Sequence, residues 1–472
     1  MAFTCRFMRG LVAGAAVLIA ALMARRAVAD VVIGKKNGWE LFSRGRVNAF
    51  LTYATGDAPP PGTNFVPGGG FDVLSDGIPG TPVQEIDPVT GEIVLRPGQG
   101  TIRKWRVRSG YVPNVFGIGV RNSASDALRV SAYLGIWGTI ETEEQLKFLP
   151  VFADFREGWG SVEGSWGGVF VGRQLTLFAR GMTDISLRYG HQYGVGSHVA
   201  QQTVTNTPQA SLGPTGGLVG YGVLGATYSA GIYYSTPTLL GFQAHLGVFD
   251  PVTFSNSWTR STTPRPEIEV SYEYARSSEV LLKATFSGSY QKLAQEGQPA
   301  EISKEIWGAT GALRGEYGPF RIGIGGYVAS GSGLWYAFAG NGNNGQTNFG
   351  PAQLGVYPGT TKTVPGPEHL APRLFRGASV FLQYAPGAFD VNVGAGRSMV
   401  KQLNQDKIGF FDGMPITDRN LIKYQTGIFG AFVYHIDNNL HANFDVMHAM
   451  FEWYGGETQK DTFFNLGATI NW

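Results

Sequence analysis

Apolar side chains recur at every second position along most of this chain, and this period constrains its fold more than any other feature. Near the C-terminus, Phe464, Leu466 and Ala468 alternate with Asn465 and Gly467. A β-strand turns successive side chains to opposite faces, so each such segment has one apolar face and one polar face. No segment after residue 29 shows the 3.6-residue period of a helix. The sequence therefore predicts an all-β protein.

About sixteen segments carry this alternation, and short connections between them alternate with long ones. The segments lie near residues 46–54, 103–121, 127–138, 156–164, 168–174, 221–235, 240–249, 266–276, 280–292, 304–317, 319–330, 373–385, 388–400, 425–437, 439–454 and 460–472. The short connections contain Gly, Pro, Asn and Asp, which form tight turns. The longest connections are 55–102, 175–220 and 331–372. Short turns at one rim and long loops at the other predict an up-and-down antiparallel β-barrel.

The polar face of these segments carries full charges, which favours a barrel that spans a membrane. Sixteen strands close into a ring too wide for side chains to fill, so the charged face can line water while the apolar face meets lipid. A soluble sandwich would instead bury the apolar face against a second sheet. The charged residues predicted to face the lumen are Arg129, Arg173, Lys283, Arg314, Arg321 and Arg397, with Glu163, Glu267, Glu269, Glu273, Asp390 and Asp445. Because both signs are present, they indicate neither cation nor anion preference.

The first 29 residues have the organisation of a secretory signal peptide. Two arginines precede an apolar stretch, residues 11–24, and the small-residue sequence Ala-Val-Ala follows it and ends at Ala29. The stretch is too short to cross a bilayer as a helix. We expect cleavage between Ala29 and Asp30, with residues 30–472 forming a single barrel domain.

The residue inventory argues against several kinds of chemistry. Cys5, the single cysteine, lies in the leader, so the remaining chain has no thiol for a disulfide or a thiolate metal site. Charged residues make up 15% of the chain and nearly balance, which gives no reason to expect a nucleic-acid partner. Residues 340–345 match Gly-x-Gly-x-x-Gly, but in an Asn-rich loop without the strand and helix of a nucleotide site. No Gly-x-Ser-x-Gly elbow occurs, so we expect neither a cofactor nor enzyme activity.

Several stretches of the chain resemble the Gram-negative general porins in their order and spacing. The similar stretches are, in chain order, 116–120, 128–133, 156–164, 172–174 and 234–242. The first four are similar to the family's second to fifth strands, and the last resembles the hairpin that follows the pore loop. Trp472 stands where the family ends in an aromatic residue that the barrel-assembly machinery reads.

The resemblance implies a homotrimeric outer-membrane porin, in contact with lipid and lipopolysaccharide, that passes ions and small hydrophilic solutes by passive diffusion. It also implies that the third long loop, 175–220, folds inward and constricts the pore. The constriction residues it suggests are Arg173, Asp184, Arg106, Arg108 and Arg129; Asp184 is the only acid in that loop. The long loops 55–102 and 331–372 would lie on the extracellular side.

Three other functions remain open from the sequence. A substrate-specific channel of fourteen or eighteen strands would show a line of aromatic side chains in its lumen and a saturable flux. An outer-membrane hydrolase would bring a Ser and a His together on an outward-facing strand surface. A structural or adhesive barrel would have a plugged lumen.

Overall fold

The architecture was analysed in a computed structural model of the chain. It describes residues 30–57, 82–86, 90, 93–97, 101–110, 114–125, 128–138, 140, 154–185, 220–252, 263–275, 280–294, 303–333, 338, 349–351, 355–356, 363–364, 370–403 and 422–472. The predicted leader, including Ala29, lies outside the described residues, the first of which is Asp30.

The described residues form twenty-four strands and one short helix. The strands are β1 (Val31–Lys36), β2 (Trp39–Asp57), β3 (Pro82–Ile86), β4 (Ile93–Pro97), β5 (Thr101–Arg108), β6 (Asn114–Ser125), β7 (Leu128–Gly138), β8 (Asp154–Gly164), β9 (Gly167–Leu175), β10 (Tyr228–Ser235), β11 (Phe242–Phe249), β12 (Arg265–Ala275), β13 (Val280–Ala294), β14 (Ser303–Tyr317), β15 (Phe320–Ser330), β16 (Phe349–Pro351), β17 (Gly355–Val356), β18 (Thr363–Val364), β19 (Leu370–Pro372), β20 (Leu374–Tyr384), β21 (Phe389–Val400), β22 (Ile422–His435), β23 (Leu440–Trp453) and β24 (Thr458–Asn471). The helix, α1, is Arg180–Ile185.

Eighteen of these strands form one sheet, which closes into a barrel with sixteen positions. Every neighbouring pair is antiparallel, and β2 pairs with β24 from Arg46↔Asn471 to Gly56↔Asp461, which joins the first strand of the ring to the last. β5 and β6 pair one after the other with the same edge of β2, so together they count as one strand of the ring. β1 pairs with the start of β2 on the edge that β24 occupies further along, so it does not add a strand to the ring either. The predicted sixteen-stranded antiparallel barrel is confirmed.

The break between β5 and β6 divides a segment that the alternation predicted as one strand, 103–121. Pro113 lies in the break and has no backbone N–H to donate to a neighbour. Asn48 of β2 bridges the gap: its side-chain oxygen accepts from Gly110 N–H at 2.6 Å. Its own backbone N–H donates to Asn114 Oδ1 at 2.7 Å. These two hydrogen bonds connect both described ends of the break to β2.

The two faces of the barrel differ sharply in polarity. On β20 and β21, Leu382 pairs with Val393 on the outward face, and both side chains are half exposed. The next pair along, Gln383 and Asn392, faces inward and is buried. Apolar side chains cover the outside around the ring, whereas the inside combines polar side chains with buried apolar ones. Phe381, Phe429 and Phe451, for example, face inward and belong to the same buried cluster as Tyr221. The predicted polarity of the two faces is confirmed for most strands, with exceptions described below.

Short turns lie at one rim of the barrel and mostly longer connections at the other, where the connection 454–457 between β23 and β24 is also short. The described short connections include 236–241, 318–319, 385–388 and 436–439. The predicted long connection 55–102 is shorter in the structure, at 58–100, whereas 331–372 is nearly unchanged, at 331–373. Both contain small hairpins, which are β3 with β4 in the first and β16 with β19 and β17 with β18 in the second.

Candidate functional site

The residues that follow β9 fold inward and dock on the inner faces of β12 and β13. Phe178 N–H donates to Glu267 Oε2 at 2.9 Å, and Ala179 N–H donates to Ser287 Oγ at 2.9 Å. The Arg180 guanidinium donates twice to the Glu269 carboxylate, at 2.9 and 3.3 Å. Glu267 and Glu269 alternate with the outward-facing Ile268, so this docking takes place inside the barrel.

Buried charges at this docking point are paired. The Glu267 carboxylate accepts from Arg265 Nε at 2.9 Å, and both side chains are almost completely buried. Because an unpaired buried charge is costly, the Arg265 partner is what allows Glu267 to hold the segment. Phe178 adds an apolar contact: it packs on the backbone of Gly308, where any β-carbon would overlap its ring, and stacks on Phe338 at 5.4 Å.

The chain that returns to β10 docks on a different part of the inner wall. Gly222 N–H donates to Ser398 Oγ at 2.9 Å, and Tyr327 Oη donates to the same hydroxyl at 2.8 Å. Gly222 has a φ of +88°, and a β-carbon there would overlap the carbonyl oxygen of Ala378. Tyr221 is fully buried against Gly427. Both described ends of the 175–220 connection are therefore fixed inside the barrel.

A group of arginines lines the inner wall on the opposite arc, from β2 to β8. Arg44 and Arg46 lie over the rings of Tyr133 and Trp137 at 5.9 and 6.0 Å. Arg156 lies over the same Trp137 at 5.2 Å. Guanidinium groups stack favourably on aromatic faces, which holds these cations against the wall.

Carboxylates accompany these arginines. Asp30 contacts Arg44 at 2.7 Å and Arg121 at 2.6 Å, and Glu40 contacts Arg121 at 2.9 Å. The sequence analysis missed Arg44 and its partners because it began the first strand at residue 46, whereas β2 begins at Trp39. It included Arg46 in that strand but did not assign it to the lumen. Charged residues at the even positions 40, 44 and 46 would lie on one face of a strand, and this pattern could have extended the predicted strand toward the N-terminus.

Most of the predicted lumen charges face inward and form ion pairs or hydrogen bonds. Their partners are Arg129 with Glu163 (2.7 Å), Lys283 with Glu273 (2.7 Å), Arg314 with Glu316 (2.9 Å), Arg321 with Glu316 (3.2 Å), Asp390 with His435 (3.0 Å) and Asp445 with Asn465 (2.7 Å). Each pair joins neighbouring strands or residues two apart on one strand, so the pairs follow from the register. They spread around the lumen and do not form one cluster.

Three predicted constriction residues are placed by the backbone alone. Arg106 pairs with Thr52 and Arg108 with Phe50, both of which face inward on β2. Asp184 lies in α1. The side chains of these three residues lie outside the described part of the structure.

Two predicted lumen arginines face outward, and those assignments were wrong. Arg173 pairs with Gly158 and Ala230, on the face of the exposed Val171. Its guanidinium contacts Phe155 O at 3.2 Å and lies 3.8 Å from Asp154. Because the neighbouring Gln174 is buried on the inner face, Arg173 must point the other way.

Arg397 is outward-facing for the same reason. It pairs with Ala378 and Thr426, whereas its neighbour Ser398 is the inward residue that binds Gly222. His448 also faces outward, since it pairs with Ile428 and Thr462. Arg173 and Arg397 were assigned to the lumen from their residue type, although their positions alternate with inward-facing neighbours.

A cavity of about 610 Å³ opens on the inner wall near the short-turn rim. Phe170 and Tyr233 stack in it at 4.7 Å, and the Arg129–Glu163 pair, Gln243 and His245 complete much of its lining. Aromatic faces beside paired charges suit small polar solutes that also carry an apolar surface.

One group in this cavity has the residue types of a hydrolase. Ser235 and His245 are hydrogen-bonded at 2.6 Å between Oγ and Nδ1, and His245 Nε2 lies 3.8 Å from Glu269. The Glu269 carboxylate is instead engaged by Arg180. The pair also faces inward, whereas the hydrolase hypothesis required an outward-facing surface. We therefore interpret it as a hydrogen bond between neighbouring strands.

The described residues contain no group of three or more His, Cys, Asp or Glu side chains arranged to bind a metal ion. None of the described helices has the length and hydrophobicity needed to cross a membrane.

Comparison with solved structures links this geometry to known proteins. No protein-family model and no curated protein sequence matches the chain. The outer membrane channel DcaP of Acinetobacter baumannii superposes with a TM-score of 0.58 at 11% identity, covering 94% of this chain and 100% of the other. The chain has the fold of an outer-membrane porin. An anion-selective porin from Comamonas acidovorans superposes with a TM-score of 0.50 at 12% identity, over 92% of this chain and 100% of that one.

Proposed function

We propose that this protein is an outer-membrane porin whose lumen is a water-filled path for passive diffusion of ions and small hydrophilic solutes. The observation that carries the proposal is the polarity of the closed barrel, which is apolar outside and carries charged ion pairs on part of its inner wall. An apolar exterior is stable against acyl chains, and a wide charged interior is stable when filled with water.

The inner wall suggests how such a path would treat solutes. Arginines with carboxylate partners line the arc from β2 to β8, and ion pairs such as Lys283 with Glu273 and Arg314 with Glu316 lie on the arc from β12 to β14. Paired charges of both signs along a narrow passage produce local fields, which favour dipolar solutes and penalise apolar ones. Residues 175–220 would narrow the passage, with Asp184 facing Arg106 and Arg108.

The rest of the assembly follows from the same proposal. Residues 1–29 would direct export and be cleaved after Ala29, and the long loops would face the cell exterior. Trp472 would be read by the barrel-assembly machinery, and three barrels would associate in the membrane among lipid and lipopolysaccharide.

Planar-bilayer recordings of the purified full chain test this proposal. We expect ohmic conductance steps that occur in threes, and Arg44→Ala combined with Arg46→Ala should shift the reversal potential in a salt gradient toward cation preference. Arg173→Ala removes an arginine from the outer face and should leave that potential unchanged. Absence of conductance from the wild type would overturn the proposal.

A second candidate is a substrate-specific channel, favoured by the cavity that Phe170 and Tyr233 line. It predicts flux that saturates with solute concentration in vesicle uptake measurements. Phe170→Ala would then raise the half-saturating concentration, whereas a diffusive pore would show linear flux in both proteins.

A further inference from the structure

Two histidines face each other on the inner wall of the barrel, beside the short turn 436–439. His435 is the last residue of β22, and His441 is directly opposite it on β23. Their neighbours on the same face, Val433 and Asn443, are buried inside the barrel. The two histidines are themselves 8% and 6% exposed. The pair therefore lies on the inner wall at the short-turn end of the barrel.

The two imidazole rings point the same kind of nitrogen at each other. His435 Nδ1 and His441 Nδ1 are 2.9 Å apart, and the ring planes are nearly perpendicular, at 89°. Such a contact can hold a single proton, so at least one of the two nitrogens presents a lone pair to the space between the rings. Two nitrogens bound to one tetrahedral metal ion are about 3.3 Å apart. The rings therefore need to separate only slightly for both nitrogens to bind the same ion.

A carboxylate lies at the other nitrogen of one ring. Asp390 Oδ2 is 3.0 Å from His435 Nε2, the nitrogen that does not face His441. The carboxylate favours a proton on Nε2, which leaves the lone pair of a neutral His435 on Nδ1. Metal-binding histidines commonly have such a carboxylate on their second nitrogen. Because Asp390 contacts this outer nitrogen, the pair provides two imidazole ligands and the carboxylate does not act as a third.

Two polar side chains beside the pair have no hydrogen-bond partner among the described residues. Thr469 is directly opposite His441 on β24, and its hydroxyl oxygen is fully buried. Asn443 lies on the same inward face, and neither polar atom of its amide group is hydrogen-bonded. Because buried polar atoms without partners are costly, both side chains favour a bound ion or the water molecules that accompany it.

We propose that His435 and His441 form a binding site for a divalent transition-metal ion such as Zn²⁺, Ni²⁺ or Cu²⁺. The two Nδ1 atoms would bind the ion, Asp390 would orient His435, and oxygen atoms of side chains and water would complete the coordination. Imidazole suits these ions, whereas Ca²⁺ and Mg²⁺ prefer oxygen ligands.

The site goes beyond the proposed porin function, because binding of the ion requires only the fold. Passage of the ion requires the open path as well. Two protein ligands bind an ion less tightly than a closed site of four, and a site inside a channel must also release what it binds.

Isothermal titration calorimetry of the purified full chain with Zn²⁺ at neutral pH tests the site, with Ca²⁺ as the comparison ion. We expect Zn²⁺ to bind with a micromolar dissociation constant and Ca²⁺ not to bind. His435→Gln and His441→Gln should each abolish Zn²⁺ binding, and Asp390→Asn should weaken it about 10-fold to 100-fold. His448→Gln removes a histidine from the outer face and should behave as the wild type.

Electron paramagnetic resonance of bound Cu²⁺ gives a readout that a purely structural role of the histidines would not produce. The wild type should show coupling of one ion to two imidazole nitrogens, and each single Gln variant should lose that signal. If the Gln variants do not fold, the wild-type spectrum decides, and coupling to fewer than two nitrogens contradicts the site.

Two further outcomes would overturn the site: a wild type that binds neither Zn²⁺ nor Cu²⁺, or unchanged Zn²⁺ binding in both Gln variants. The pair would then be a hydrogen bond between neighbouring strands. Bilayer conductance of the same preparations separates this inference from the proposed function. A Gln variant that conducts but does not bind Zn²⁺ supports both, and Zn²⁺ binding by a wild type without conductance contradicts the proposed function alone.

Discussion

At the scale of single residues, the position of Trp472 shows how closely the two ends of the ring fit. Its indole lies on the outward face over Gly45, where a β-carbon would overlap the ring. Gly45 N–H donates to the Trp472 carbonyl oxygen at 2.8 Å, and Trp472 N–H donates to the Gly45 carbonyl oxygen at 3.0 Å. The indole N–H donates to Ser43 Oγ at 3.1 Å. The C-terminal aromatic residue is therefore also a packing element, beyond any role in assembly.

Gly45→Ala should destabilise the barrel by about 1–3 kcal/mol, because the added methyl group forces Trp472 to move within a tight contact. Urea unfolding followed by tryptophan fluorescence measures the effect. Gly430→Ala is the matched control, since its outward β-carbon would have 4.0 Å to the nearest atom. Equal loss in both variants would contradict the described position of Trp472.

At the scale of an element, the turn between β22 and β23 depends on one carboxylate. Asp437 Oδ1 accepts from the backbone N–H groups of Asn439 and Leu440, at 2.6 and 2.7 Å. These bonds favour the charged form, so the pKa of Asp437 is lower than usual. Its contribution to stability is therefore complete above the ordinary aspartate pKa and is lost as the pH falls through the lowered value.

Asp437→Ala should lower the urea midpoint at pH 7, and this difference from the wild type should shrink at a pH below 3. Asp437→Asn retains an acceptor oxygen, so its midpoint should depend less on pH than that of the wild type. A difference between wild type and Asp437→Ala that stays constant from pH 7 to pH 2 would show that the carboxylate does not hold the turn.

The inward segment before α1 is a second element whose stability can be measured. Ser287 accepts from Ala179 N–H and shares a hydrogen bond of 2.7 Å with Thr310. Ser287→Ala should weaken the docking by about 1–3 kcal/mol, because a buried donor is left without its acceptor. Hydrogen exchange of residues 176–185 should then accelerate about 5-fold to 100-fold. Ser271→Ala, an inward serine on β12, should leave that exchange unchanged.

At the scale of the whole molecule, stability depends on closure between the first and last strands of the ring. An open sheet of this size would expose two edges of unpaired backbone groups, and the pairing of β2 with β24 removes both. Residues more than 400 positions apart in sequence are thereby joined.

A disulfide provides a test of this closure, because the chain after the leader contains no cysteine. Ala49 and Ala468 are directly opposite on the outward face, so cysteines at both positions should form a disulfide on oxidation. Non-reducing gel mobility measures the cross-link. Cysteines at Ala49 and Ala442, which lie two strands apart, should not form one. A cross-link in the second pair alone would contradict the described register.

The fold could be predicted largely from the sequence because each strand carries its own pattern. Alternation at residues 464–470 specifies two faces, and turn residues such as Pro386-Gly387 mark where strands end. The site was harder to predict. Whether a side chain faces the lumen depends on where its strand begins and on which strand, far away in sequence, pairs with it. Arg397 has the residue type of a lumen charge but the parity of the lipid face, and Arg44 was missed because β2 begins seven residues earlier than the pattern indicated.

The sequence by itself determined the strand period, the alternation of polarity and the positions of the tight turns, since these are local properties of the chain. The tertiary structure decided which carboxylates meet which arginines, where residues 176–185 and 220–226 dock, and which basic side chains face outward. Those features depend on register across the closed ring, which is set by hydrogen bonds between strands far apart in sequence. A shift of one residue in that register would exchange lumen and lipid faces.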